Sequence, residues 1–288
     1  MTAKNTLAVV ALAIASFGAQ ATCLTDAQAS AMMDKWIEKL PADTPEGLSE
    51  ADGACSRAKF TALLELRFDN VIGYKAGLTN PAVQKRFNYD KPVWGKLFDS
   101  MVLENGAEVE AAFGARPLFE ADLLVRVKSE AINQAKTPME VLLLLDQVIP
   151  FIELPDLVVQ APGKLNGPGI SAINVGARLG VAGKPIPVPA TRAEIYALHD
   201  GLRDMTVTLS DGGGATLGQG KGSDILGHPL NAVVWLAEAL AKEGLAMKAG
   251  DLISLGSFSP LLPPKARLKA VVTYSGLPDA QAVSVQFK

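Results

Sequence analysis

Apolar side chains recur every three to four positions in the first part of the chain, which is the spacing of an amphipathic helix. One helical run follows Thr25-Asp26 and ends at Pro41, and a second begins at Ser49-Glu50 and continues to Phe68. After Val71 the pattern changes to short apolar runs broken by Gly and Pro. These runs predict strands over residues 102–110, 117–127, 149–154, 203–209, 251–255, 269–274 and 282–287.

Three further helices are expected between the strands, over residues 139–145, 191–199 and 230–242. Pro229 precedes the last of these and suits the beginning of a helix. Many short strands with few helices predict an α+β fold, in which a curled, mixed or mostly antiparallel sheet carries a small helical N-terminal region. We assign residues 22–70 to that helical region and residues 71–288 to the main domain.

The first 21 residues have the pattern of a secretory signal peptide. Lys4 is followed by an apolar run from Leu7 to Phe17, and the segment ends in Ala19-Gln20-Ala21. The alternative is an uncleaved anchor, but the run is shorter than the roughly 20 residues that span a bilayer. We therefore expect a periplasmic or secreted protein with no membrane attachment after cleavage.

The chain contains two cysteines, Cys23 and Cys55, and both lie close to the expected mature N-terminus. In an oxidising compartment an even pair indicates a disulfide, here joining the start of the mature chain to a later helix. Two unpaired thiols are the alternative.

Composition narrows the class of function. Of the 288 residues, 49% are hydrophobic and 6% aromatic, and 27 Lys and Arg face 30 Asp and Glu. This apolar content excludes a disordered chain, and the net charge of −3 does not suit an electrostatic nucleic-acid binder. A globular protein that acts on small molecules remains.

Two acidic side chains fall on one face of a predicted strand. Glu120 and Asp122 alternate with Phe119, Ala121 and Leu123, so they lie roughly 6.5 to 7 Å apart on the opposite face. A buried pair of carboxylates would repel, and a divalent cation between them would remove that cost. The alternative is the solvated face of an amphipathic strand.

A third acid, Glu153, stands alone in the apolar run 149–155. It could join the other two as a metal ligand or lie at a surface edge. Oxygen-only ligands favour Mg²⁺, Mn²⁺ or Ca²⁺ over zinc.

Two glycine-rich motifs carry a family resemblance. Residues 73–79, GYKAGLT, resemble the G-x-K-x-G-L-T signature of the hydratase/decarboxylase branch of the fumarylacetoacetate hydrolase superfamily. Residues 220–236, GKGSDILGHPLNAVVWL, resemble its second signature, and the similarity extends from about residue 60 to the C-terminus. The resemblance implies the curled sheet roll of that superfamily and an enzyme that is a lyase.

The resemblance also assigns roles to residues. It implies that Glu120, Asp122 and Glu153 bind Mg²⁺ or Mn²⁺ and that Lys75 is the active-site lysine. It implies further that Lys75, Leu78 and Asn174 bind the substrate, a small 2-oxo or 2-hydroxydienoic acid. We expect a homo-oligomer, with no nucleic-acid partner. His228 is expected to be structural rather than catalytic.

The chain departs from the family pattern at three places. Pro92-Val93-Trp94-Gly95 lacks the Asp of the family's P-D-F/Y-G, an Asp is missing before Ile173-Asn174, and Leu255-Gly256 replaces T-G. Hydration of a dienoate is therefore less favoured than decarboxylation or keto–enol isomerisation, because these need no activated water. An exported, catalytically inactive binding protein for 2-oxo acids is the alternative function.

Residues 212–222, GGGATLGQGKG, invite comparison with a phosphate-binding loop. Ala215 occupies the required first-glycine position and Gly222 follows Lys221 where Ser or Thr is needed. A glycine-rich hairpin is the better interpretation.

Overall fold

The computed structural model describes residues 22–68 and 70–288, so the predicted signal peptide, residues 1–21, lies outside the described residues. The helices are α1 (Asp26–Glu38), α2 (Glu50–Phe68), α3 (Pro81–Arg86), α4 (Pro138–Leu143), α5 (Gly167–Ala172), α6 (Arg192–Asp204) and α7 (Asn231–Lys242). The strands are β1 (Val71–Gly77), β2 (Val93–Phe98), β3 (Val102–Glu104), β4 (Glu108–Val109), β5 (Glu120–Val127), β6 (Leu145–Leu154), β7 (Leu179–Ala182), β8 (Ile186–Pro187), β9 (Thr206–Asp211), β10 (Thr216–Lys221), β11 (Leu252–Ser254), β12 (Lys269–Ser275) and β13 (Val283–Phe287).

The strands form two sheets. The larger has the order β2-β1-β11-β5-β6-β7-β3, with β8 paired to β6, and the smaller has the order β10-β9-β12-β13-β4. Parallel pairs (β1 with β11, β3 with β7, β13 with β4) occur beside antiparallel ones. The predicted α+β fold with a curled, mixed sheet is thus confirmed.

Strand β5 is buried on both of its faces, which places it at the centre of the molecule. Leu123 and Val125 belong to an apolar cluster that also includes side chains of the smaller sheet, such as Val272 and Val285. Leu124, on the other face, belongs to a second cluster that the N-terminal helices cover. Glu120 and Asp122 share the face of Leu124 because side chains alternate along a strand, so the acids lie beneath that second layer.

The two N-terminal helices form part of this second layer. Helix α1 begins at a capping box made by Thr25 and Gln28, as the Thr25-Asp26 pair predicts. Met32, Trp36, Phe60 and Leu64 pack into the same cluster as Phe98 and Phe151 of the larger sheet. The predicted disulfide between Cys23 and Cys55 is present and ties the segment before α1 to α2.

An ion pair fastens α2 to the main domain. The Arg57 guanidinium, 3.6 Å from the centroid of the Trp94 ring, donates to both Glu243 carboxylate oxygens at 2.5 and 2.6 Å. Trp94 Nε1 donates to the same carboxylate at 3.1 Å. This contact joins α2, β2 and the end of α7.

The structure corrects several element boundaries. β1, β2 and β7 were not among the predicted strands, because their glycines resemble turn residues in the sequence. In the fold those glycines allow close packing: a Cβ on Gly73 would overlap the Leu252 carbonyl, and one on Gly95 would lie 2.6 Å from the Asn174 oxygen. β10, in contrast, pairs antiparallel with β9, so the glycine-rich hairpin predicted at residues 212–222 is confirmed. The predicted strand 102–110 is broken into β3 and β4 by a turn at Gly106, whose φ is +83°.

Two helices also differ from prediction. Helix α6 continues to Asp204, so β9 begins at Thr206 rather than at residue 203. Helix α7 begins at Asn231, after the N-cap residue Leu230. Within the described residues, no helix combines the length and the apolar character needed to cross a bilayer.

Candidate active site

Lys75 is buried in the middle of β1. It lies opposite Gly95 of β2 and Ser254 of β11, and the residue is 3% exposed. Its ammonium group contacts a carboxylate oxygen of Glu153 and donates to the Val175 carbonyl oxygen at 3.0 Å. Lys75 is therefore a buried residue of a strand and not a surface residue of a glycine-rich turn.

Glu120 and Glu153 face each other across two neighbouring antiparallel strands. They are direct partners in the register of β5 and β6, and they are 6% and 3% exposed. The solvated-face interpretation of Glu120 and the surface-edge interpretation of Glu153 are both wrong. Glu120 Oε2 is buried without a hydrogen-bond partner among the described residues, and such an unpaired oxygen carries a desolvation cost.

Asp122 is enclosed more completely than the two glutamates. Its Oδ2 accepts a hydrogen bond from the Ser254 hydroxyl at 2.5 Å. Its Oδ1 accepts from the backbone N–H groups of Gly256 at 2.9 Å and of Leu123 at 2.6 Å. The carboxylate therefore holds the start of the segment that follows β11 against β5.

The cluster carries more negative than positive charge. Three carboxylates and one ammonium leave an excess of two negative charges when all four groups are ionised. Burial raises the pKa of Glu120 and raises that of Asp122 to about 7, where the Ser254 hydrogen bond opposes the rise. Burial lowers the pKa of Lys75 to about 8, and the charges of Glu120 and Asp122 oppose that fall.

A small cavity opens beside these groups. Its volume is about 40 Å³, and Lys75, Leu78, Glu120, Glu153 and Ser257 are among its lining residues. The structure thus brings four of the residues named from the sequence, Lys75, Leu78, Glu120 and Glu153, to one small space.

Asp122 and Asn174 are not among the residues that line this cavity. The Asn174 side chain accepts from the Lys96 N–H at 2.7 Å and donates to the Lys96 carbonyl at 3.0 Å. Both polar atoms of its amide are therefore engaged with the backbone of β2.

The carboxylates that line the cavity are suitable ligands for a hard divalent cation. Glu120 offers an unpaired buried oxygen beside the cavity, and carboxylates are the ligands that Mg²⁺ and Mn²⁺ prefer. Within residues 22–68 and 70–288, no three His, Cys, Asp or Glu side chains are already arranged around one metal position. Lys75 contacts Glu153 in this arrangement, so the predicted set of Glu120, Asp122 and Glu153 stays a prediction.

Two residues that the sequence did not indicate, Ser254 and Tyr274, hold the acids in place. The Tyr274 hydroxyl, from β12 of the smaller sheet, accepts from the Phe151 N–H at 3.0 Å and donates to the Asp122 carbonyl at 2.6 Å. Asp122 and Phe151 are partners in the register of β5 and β6, so Tyr274 bridges the strands that carry the glutamates. Ser254 was missed as well, although a serine in an otherwise apolar strand is a signal that could have identified it.

Val93, a departure from the family pattern, and His228, expected to be structural, are both buried and do not line the cavity. Val93, which stands where the family has an acid, is 6% exposed and packs in the cluster under the N-terminal helices. His228 Nδ1 accepts from the Leu230 N–H and its Nε2 lies 3.1 Å from the His199 carbonyl oxygen. His228 therefore has a structural place at the entrance of α7, as expected.

Known proteins resemble this chain in sequence and in fold, although no family model matches it. A 2-hydroxyhexa-2,4-dienoate hydratase of Comamonas testosteroni is 33% identical over 206 residues, which cover 71% of this chain and 74% of the relative. A 4-oxalocrotonate decarboxylase of Pseudomonas putida is 26% identical over 247 residues, which cover 85% of this chain and 89% of the relative.

A solved structure resembles the fold over almost the whole chain. The 4-oxalocrotonate decarboxylase from Pseudomonas putida G7, complexed with magnesium and adipate, superposes with a TM-score of 0.79 at 24% identity. The match covers 93% of this chain and 100% of that one.

Proposed function

Because the chain belongs to the hydratase/decarboxylase branch of the fumarylacetoacetate hydrolase superfamily, a family of lyases, we propose that it is a divalent-metal-dependent lyase. Its substrate would be a small 2-oxo or 2-hydroxydienoic acid. The observation that carries the proposal is the buried cluster of Lys75, Glu120 and Glu153 beside a cavity. Buried ionisable groups with shifted pKa values in a cavity are typical of active sites.

Glu120 and Glu153 are the residues that would hold Mg²⁺ or Mn²⁺, and Asp122 is the third predicted ligand. A bound divalent ion supplies Lewis-acid stabilisation of negative charge on a substrate oxygen. Its positive charge would also compensate the excess of carboxylates, which otherwise costs stability in a buried site.

Lys75 would bind the anionic part of the substrate. The Val175 carbonyl accepts from its ammonium group at 3.0 Å and so orients it within the cavity. In this buried site, an ammonium donor is worth more against an enolate oxygen than it would be in water. Lys75 can therefore stabilise the charge that develops when a proton or CO₂ leaves.

Decarboxylation is favoured over hydration within this proposal. Hydration requires a group that activates water, and Val93 stands where the family carries an acid. The acidic lining residues of the cavity are Glu120 and Glu153, and both are committed to the metal in this proposal. Loss of CO₂ or keto–enol isomerisation requires no activated water.

Absorbance measurements test the proposal. Dialysed protein is mixed with 2-hydroxypenta-2,4-dienoate or with 4-oxalocrotonate, with and without Mn²⁺, and the ultraviolet absorbance of each acid is followed. We expect Mn²⁺-dependent loss of absorbance that a Lys75→Met variant lacks, whereas Lys85→Gln, an exposed change, retains it. Heat of binding without turnover would support the alternative, an inactive binding protein, and would contradict the lyase.

We also propose that the mature protein is periplasmic or secreted and begins at Thr22. The Cys23–Cys55 disulfide supports this because disulfides persist in oxidising compartments. Expression of the full chain in a Gram-negative host, followed by fractionation and mass spectrometry, tests it. Recovery of the uncleaved chain from the cytoplasm would contradict it. The homo-oligomer stays a prediction, which light scattering of the purified protein can test.

A further inference from the structure

Three consecutive residues, Asn174, Val175 and Gly176, form a left-handed turn beside Lys75. Their φ angles are +53°, +53° and +66°. Glycine adopts such angles freely and asparagine tolerates them, but a β-branched residue such as valine seldom does. Val175 also lines the small cavity that Lys75 lines. Backbone strain of this kind persists only where the surrounding contacts impose it.

Contacts at both ends of the turn impose its conformation. The Asn174 amide accepts from the Lys96 N–H at 2.7 Å and donates to the Lys96 carbonyl at 3.0 Å, so it pairs with the edge of β2 as a neighbouring strand would. At the other end, the Gly176 carbonyl accepts from the Asp156 N–H at 2.9 Å. Val175 is held between these two anchored residues.

The turn presents the Val175 carbonyl oxygen to the Lys75 ammonium group, which donates to it at 3.0 Å. The same ammonium group contacts Glu153, which is a proposed ligand of the metal. A carboxylate that shares its charge with a bound cation attracts an ammonium group less strongly. The Val175 carbonyl is then the contact that keeps Lys75 in place.

We propose that Asn174 is a positioning residue for Lys75 and not a ligand of the substrate. Asn174 is fully buried, and both its amide oxygen and its amide nitrogen are bound to the backbone of β2. It holds the strained turn, the turn directs the Val175 carbonyl, and that carbonyl fixes the ammonium group. The inference rests on the proposed function, because it assigns Lys75 a part in the chemistry.

A second asparagine makes the same pair of hydrogen bonds elsewhere in the fold. Asn133 accepts from the Met247 N–H at 2.9 Å and donates to the Met247 carbonyl at 2.8 Å, which joins the segment after β5 to the segment after α7. Asn133→Ala therefore removes the same two contacts as Asn174→Ala. It is the matched control for a purely structural loss.

A proton–nitrogen NMR spectrum of isotope-labelled protein provides the first test. The signal of the Lys75 ammonium group is identified by its absence from Lys75→Met. Asn174→Ala removes the amide and disfavours the left-handed angle, whereas Asn174→Gly removes the amide alone and serves if the alanine variant does not fold. We expect the Lys75 signal to shift or broaden in each folded Asn174 variant and to stay unchanged in Asn133→Ala.

Steady-state turnover of 4-oxalocrotonate or 2-hydroxypenta-2,4-dienoate with Mn²⁺ provides the second test. Loss of a positioning contact lowers kcat with little change in KM, whereas loss of a substrate ligand raises KM. We expect kcat to be about tenfold lower in the Asn174 variants, because a misplaced reacting group is costly. Asn133→Ala should keep the wild-type kcat.

Three results would overturn the proposal and leave the proposed function standing. They are an unchanged Lys75 signal in the Asn174 variants, a raised KM at constant kcat in those variants, or an equal fall of kcat in Asn133→Ala. Absence of turnover by the wild type would refute the proposed function instead, and the NMR comparison would still decide whether Asn174 positions Lys75.

Discussion

At the scale of single residues, burial determines which ionisable groups carry charge. Lys75 and Glu153 neutralise each other by direct contact, while Glu120 keeps one oxygen unpaired. Asp122 is bound by three donors from Leu123, Ser254 and Gly256. The same principle applies away from the site, at His228, where burial lowers the pKa to about 4.

His228 gives a prediction about stability and pH. Its pKa in the folded protein lies below the value of roughly 6.5 in an unfolded chain, so the unfolded state takes up a proton first as the pH falls. The stability that neutral His228 contributes is present above pH 6.5 and is lost progressively toward pH 4. We expect His228→Asn to be destabilised relative to the wild type at pH 7 and less so at pH 4.

Urea denaturation of both proteins between pH 4 and pH 7 measures this effect. The difference between the two free energies of unfolding is the informative quantity, because the acidic residues titrate alike in both proteins. A difference that does not change with pH would contradict the prediction.

At the scale of secondary structure, strands from both sheets fix the positions of the acids. β5 and β6 carry Glu120 and Glu153 in direct register, and Tyr274 of β12 bridges the backbones of those two strands. β11 supplies Ser254, which holds Asp122. The site therefore depends on contacts between elements more than 100 residues apart in the chain.

Tyr274→Phe tests this bridge. The variant keeps the ring and loses the buried hydroxyl, which leaves the Phe151 N–H and the Asp122 carbonyl with one partner fewer. We expect a loss of about 2 kcal/mol in the free energy of unfolding together with weaker Mn²⁺ binding. Tyr196→Phe, at a position 47% exposed on α6, is the control and should change neither quantity.

The disulfide between Cys23 and Cys55 is predicted to stabilise the attachment of the N-terminal segment to α2. It closes a loop between Cys23 and Cys55, which are 32 positions apart, and a loop of that length contributes about 4 kcal/mol in the chain-entropy treatment. Cys23→Ser/Cys55→Ser should lower the melting temperature of the mature protein. Dithiothreitol should lower the wild-type value in the same way and leave the double variant unchanged; an equal response of both would contradict a stabilising disulfide.

At the scale of the whole molecule, the sequence predicted local features and missed the long-range ones. The alternation of apolar and acidic residues predicts that Glu120 and Asp122 share one face of a strand, and β5 is that strand. Thr25 likewise predicts the start of α1. The role of Tyr274 could not be predicted, because nothing local indicates that β12 lies across β5 and β6.

Glycines explain why some of the strands were not predicted from the sequence. In β1 and β2 they allow backbones of neighbouring segments to approach closely, as Gly95 does toward Asn174, so these strands resemble turns in sequence. A cavity of about 700 Å³ that Arg86 lines could not be predicted from the sequence either, since its walls come from α3, β10 and the segment after β11.

The proposed lyase requires that the buried acids form a binding site for a single divalent cation. Calorimetric titration of Mn²⁺ into the mature wild-type protein, Glu120→Gln and the exposed control Glu238→Gln tests it most directly. We predict one ion bound per chain in the wild type and in the control, and affinity at least tenfold weaker in Glu120→Gln. Unaltered Mn²⁺ affinity in a folded Glu120→Gln variant would contradict the account.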